Sequence, residues 1–80
     1  MSDAPLTRLR TGGRARVVSL EGATERERSK LMALGVLPGE EVRLLQRFPS
    51  FVIRIGYTQL ALDRETAAVI VVASPGHVAG

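Results

Sequence analysis

The side chains able to do chemistry in this 80-residue chain are few and scattered. Three could hold a metal ion. Asp63 and Glu65 offer hard carboxylate oxygens, and His77, the single histidine, offers an imidazole nitrogen. Two carboxylates without an ordered third ligand fall short of a defined site, and each has a plainer role. Asp63 can cap the turn Arg64-Glu65-Thr66-Ala67, Glu65 then sits where first-turn amides favour negative charge, and His77 falls in a Pro-Gly-rich stretch. The reading is no metal site, with Asp63, Glu65 and His77 as the weak candidates. Catalysis needs convergent acid, base or nucleophile groups, which this sequence does not gather. With no cysteine there is no thiolate, and neither G-x-x-x-x-G-K-[ST] nor G-x-G-x-x-G is present to cradle a nucleotide. The chain reads as non-enzymatic and without a cofactor.

Charge is the next signal. Eleven Lys and Arg against eight Asp and Glu give a formal charge of +3, and Arg8, Arg10, Arg14 and Arg16 could form a basic strip facing nucleic acid or anionic lipid. Alternation already demands that Arg14 and Arg16 point outward opposite Ala15 and Val17. Glu25 and Glu27 dilute Arg26, Arg28 and Lys30, and Phe48, Phe51 and Tyr57 are a thin set for base stacking, so no nucleic-acid partner is expected. The same aromatics suggest a protein contact instead. Phe48 and Tyr57 flank one hairpin, where a small barrel can present a groove for a peptide, although the favoured reading has Phe48 plugging a barrel end and Phe51 in the core. Leu37 beside the rigid Pro38 is the stronger contact, because little conformational entropy is lost when a partner covers it. Leu37, Pro38, Phe48 and Tyr57 are therefore the candidate interaction residues.

These residues must be positioned by short elements. Thr24-Glu25-Arg26-Glu27 has capping-box spacing and starts a helix over residues 24–34. Its first turns are charged, while Leu31 and Leu34 are spaced to dock its end on something apolar. Gly35 falls where a Schellman ending needs positive φ, Val36 and Leu31 supply the accompanying contact, and Leu37-Pro38-Gly39-Glu40 reads as a type II turn. Strands follow at Arg14 to Val18, with a bulge or two-sided burial signalled by Val17-Val18, at Glu41 to Arg47, at Phe51 to Ile55, at Thr58 to Leu62 and at Val69 to Val72. Gly56 marks a tight bend, and Asp63 caps a one-turn helix over residues 63–67. Gly35, Gly39 and Gly56 are the fold-critical turns. The fold class is mainly β, a small bent barrel of about five strands with one inserted helix.

Size and composition permit one domain, over residues 5–74, with flexible ends at 1–4 and 75–80. The absence of cysteine suits a reducing compartment. Apolar runs fall far short of the ~20 residues a spanning helix needs, so no membrane insertion and a cytoplasmic location are expected.

One resemblance joins these pieces. Leu31-Met32-Ala33-Leu34-Gly35-Val36-Leu37-Pro38-Gly39, then Phe48-Pro49, then Arg54-Ile55-Gly56, then Gln59-Leu60-Ala61-Leu62-Asp63-Arg64-Glu65-Thr66-Ala67 and an apolar last strand resemble the FeoA family of ferrous-iron-transport accessory proteins, from about Leu6 to Ala73. The resemblance implies an SH3-like barrel, similar also to the C-terminal domain of iron-dependent repressors. It implies a partner as well, the FeoB membrane transporter with its cytosolic GTP-binding domain. A homo-oligomer and a metal- or nucleic-acid-responsive regulatory role are the alternatives it leaves open.

Overall fold

A computed structural model describes residues 3–73. Helix α1 (Glu25–Ala33) starts as its residues dictate: the Thr24 hydroxyl accepts the Glu27 N–H at 3.1 Å, and the Glu27 carboxylate accepts the Thr24 N–H at 3.0 Å. Its exit has both Schellman bonds. Gly35, at φ +103°, donates to the Met32 carbonyl at 3.0 Å, and Val36 donates to Leu31 at 2.9 Å. Val36 and Leu31 are buried together. The next turn closes with the Glu40 N–H on the Leu37 carbonyl at 3.0 Å and Gly39 at φ +95°, as a type II turn requires.

Leu34 departs from expectation. It is the C-cap, beyond the last helical residue, and is 42% exposed where Leu31 is 3% exposed. Three positions on a helix advance about 300°, which leaves the two side chains about 60° apart, and the reversing chain brings Val36 into the space beneath Leu31.

Six antiparallel strands form one sheet in the order β1-β6-β2-β3-β4-β5. They are β1 (Asp3–Pro5), β2 (Arg14–Ser19), β3 (Glu41–Gln46), β4 (Phe51–Ile55), β5 (Thr58–Leu62) and β6 (Val71–Ala73). The sixth strand is β1, whose Asp3 and Ala4 were expected in a flexible end. They pair with Ala73 and Val72, and Pro5 is tolerated because the strand lies at the sheet edge. The remaining ends, residues 1–2 and 74–80, lie outside the described residues. The last strand also starts later than alternation suggests. Helix α2 (Arg64–Ala68) runs on until Val69 is its C-cap, and the Ile70 carbonyl is taken by the Leu6 N–H at 2.8 Å before β6 begins. Of the two readings of Val17-Val18, the bulge appears, as a register shift between Val17 and Ser19 against β6, while Val18 is exposed; another shift lies between Leu44 and Gln46 against β4.

The core follows period two. Ala15 and Val17, Val42 and Leu44, and Phe51, Ile53 and Ile55 all point inward and pack with Leu6, Leu20, Leu31, Val36, Ala67 and Ile70. Among the described residues no charged or polar side chain is buried.

Candidate functional site

The helix–strand corner at Leu37 is held from several sides. The Arg16 guanidinium donates to the Gly39 carbonyl at 2.7 Å, the Gly39 N–H donates to Val17 at 2.8 Å, and the Val17 N–H donates to Glu40 at 2.9 Å. The turn is thereby strapped to β2, and fixed backbone keeps its side chains presented at low entropic cost to a partner. Leu37 is 37% exposed there. Pro38 lines a shallow cavity of about 230 Å³ together with Val18, Leu20, Met32, Glu21 and Arg28. Val18 and Met32 are themselves exposed, so Pro38 adjoins an apolar surface that also carries one charge of each sign, while Leu37 stands outside the cavity.

The four candidate contact residues are not brought together. Arg43 pairs with Arg54, so the Gly56-Tyr57 hairpin lies beside the start of β3, the same end as Pro38, whereas Phe48 follows the end of β3. Tyr57 is fully exposed in a two-residue hairpin whose first residue, Gly56, takes φ +59°, as type II′ geometry asks. Phe48 is 85% exposed and plugs nothing. Its neighbours turn inward instead: Phe51 is core, the Arg47 guanidinium lies 5.4 Å from the Phe51 ring centre, and Arg47 also donates to the Thr7 and Leu9 carbonyls.

Asp63 behaves as a cap. Its carboxylate accepts the Thr66 N–H at 2.7 Å, and that bond, helped by the Thr66 side chain, holds its pKa below the ordinary aspartate value. Glu65 is exposed in the first turn of α2. Asp63 also borders a second groove, about 340 Å³, between α1 and β5, where Glu27, Lys30 and Leu34 face it. Among the described residues no three His, Cys, Asp or Glu side chains gather, and His77 lies outside them.

Two residues with evident surface chemistry escaped sequence reasoning. Arg43 and Arg54 occupy outward positions of β3 and β4 and stand in register with each other and with Arg14. The alternations Glu41-Val42-Arg43-Leu44 and Val52-Ile53-Arg54-Ile55 give the face of each arginine, but only strand register aligns them.

Comparison with known proteins bears on what such a surface serves. The FeoA domain family matches residues 4–74. Comparison with curated protein sequences gives no match. Among solved structures, the FeoA protein from Chlorobium tepidum is similar at 28% identity and TM-score 0.85, over 95% of this chain and 74% of that one. FeoA of Stenotrophomonas maltophilia complexed with zinc is similar at 29% identity and TM-score 0.70, over 85% of this chain and 87% of that one. That protein is described as a procaryotic SH3 domain protein and put forward as a candidate ferrous iron transport activating factor. A manganese-dependent transcriptional repressor shares the fold at 21% identity and TM-score 0.81, over 90% of this chain and 41% of its own length. The architecture is thus the SH3-like one of FeoA proteins.

Proposed function

Because the chain belongs to the FeoA domain family, we propose that it is a cytoplasmic, non-catalytic accessory module of bacterial ferrous iron transport that docks on a FeoB-type transporter and modulates it. The observation that carries this reading is the strapped turn, where Leu37 and Pro38 stand exposed and Pro38 lines an apolar cavity with Val18 and Met32. A preformed surface of this kind suits binding better than chemistry, since affinity gains from ordering that has already been done. No helix among the described residues is long and apolar enough to cross a membrane, which suits a module that meets its transporter from one side. The role put forward for the S. maltophilia protein points the same way. The likeness to the manganese-dependent repressor is one of fold.

Modulation then follows from differential affinity. A module that binds one state of the transporter's cytosolic GTP-binding part more tightly shifts that part toward the preferred state, by as much as the affinities differ and no more. The test is a titration of the protein onto a purified FeoB-type cytosolic part in its GTP-analogue and GDP forms. The expected result is saturable binding, with affinities that differ by about fivefold or more between the two. Absence of binding to either form overturns the docking; equal affinity overturns the modulation.

A further inference from the structure

Arg43 stands directly opposite Arg14 of β2 on one side and Arg54 of β4 on the other. All three are exposed, so three guanidinium groups form one row across three adjacent strands on the outer face of the sheet. Like charges placed directly opposite one another weaken a sheet, and the row packs on no part of the core. Glu40 and Glu41 line the same cavity but engage the row loosely. Arg14 and Glu41 are 3.9 Å apart with both side chains more than half exposed, and among the described residues neither Arg43 nor Arg54 has an ion-pair partner. The fold tolerates a repulsion that does nothing for its stability, which is the condition expected of a site kept for a ligand that supplies the missing charge.

We infer that this row is a binding site for an acidic helix of a protein partner, met by three carboxylates on one helix face. Adjacent strands are about 4.8 Å apart, so the row spans roughly 10 Å. Carboxylates at i, i+3 or i+4, and i+7 of a helix rise by about 5 Å and then about 10.5 Å, which matches that interval. A guanidinium also binds a carboxylate fork to fork, giving direction as well as attraction. Nucleic acid fits less well. Glu40 and Glu41 line the same cavity as the row; a helix can set uncharged side chains against them, whereas a phosphate backbone is charged at every step, and none of the residues lining the cavity is aromatic. A second copy fits less well too, since α1 interleaves Glu25 and Glu27 with Arg26, Arg28 and Lys30. The site goes beyond the apolar corner and does not require it.

The test uses the whole chain and a synthetic helical peptide with glutamates at i, i+4 and i+7, against a control peptide with glutamines there. The glutamate peptide should bind and weaken steeply between about 50 and about 300 mM salt, while the control should not bind. Arg43→Thr should weaken the peptide by about tenfold or more. It should also raise the melting temperature by about 2–5 °C, because relief of like-charge repulsion stabilises the free sheet. Arg54→Thr is the second variant, with the same expected directions. Failure of the glutamate peptide to bind wild type, or binding by both variants as tight as that of wild type, overturns the site. A lowered melting temperature in both variants overturns the repulsion on which it rests. Tighter binding of a single-stranded DNA oligonucleotide than of the peptide at equal salt overturns the partner. No transporter enters this assay, so its failure leaves the docking reading standing, and a transporter that does not bind leaves the row standing.

Discussion

The two ends of β3 are built by different means. At its start, the chain reverses through bonds between near neighbours: Val36 to Leu31, Glu40 to Leu37, and Gly35 to Met32. At its end, the loop around Phe48 is fastened by Arg47, whose partners Thr7 and Leu9 lie near the other end of the chain and whose guanidinium covers Phe51. The first end is framed by these local bonds, with straps from Arg16 and Val17 of β2 added to them, and presents apolar side chains on a stiff frame. The second depends on a long-range contact and leaves Phe48 in solvent. A docking surface with low ordering cost is therefore expected at the start of β3, not at its end.

The largest effect should come from the buried anchor of the first end. Leu31→Ala removes a 3% exposed side chain and should cost about 2–4 kcal/mol, while Leu34→Ala, only three residues on, should stay within about 0.5 kcal/mol. Chemical denaturation of both variants checks the contrast, and equal losses would mean that the helix presents a broader face to the core. Next comes Gly35→Val. A Cβ there meets no neighbouring atom, so the whole penalty is the backbone strain of a β-branched residue at φ +103°, about 1–3 kcal/mol. An unchanged melting temperature would contradict the Schellman exit.

At the second end, Arg47→Ala should cost about 1 kcal/mol, since its hydrogen bonds and ring contact are made from an exposed position. A Phe48→Ala change should be nearly silent in the same thermal melts. Smaller still is the pH response at Asp63. Its folded pKa lies below the unfolded value, so its contribution is present above about pH 3.9 and is lost as pH falls through the folded value. The gap in melting temperature between wild type and Asp63→Ala should thus be full at neutral pH and close in acid. A gap that persists unchanged at low pH would mean that the cap does not act through its charge.

The same contrast explains what sequence reading reached. The capping box at Thr24 and Glu27, the Gly35 exit, the Pro38-Gly39 turn and the Asp63 cap each rest on residues within a few positions of one another, and each appears with the expected bonds. Strand faces were legible for a similar reason, because Phe51, Ile53 and Ile55 declare their side by alternation. What escaped depends on partners distant in sequence. Asp3 and Ala4 become a strand only because Val72 and Ala73 reach them, Phe48 stands in solvent while its neighbour Arg47 reaches back to Thr7 and Leu9, and Arg14, Arg43 and Arg54 align only once register is set. Of the contact candidates, Leu37 and Pro38 could be placed from their own turn. Tyr57 and Phe48 could not be assigned to opposite ends until β3 and β4 were paired.

The most direct test of the docking account is the affinity of Leu37→Glu for a FeoB-type cytosolic part, measured beside its melting temperature. A carboxylate at the exposed corner should leave the fold intact, because Leu37 is already 37% exposed, yet be costly where a partner would bury it unpaired. The account predicts a melting temperature within about 2 °C of wild type and binding weakened by about tenfold or more. A folded Leu37→Glu protein that binds with unchanged affinity would contradict it.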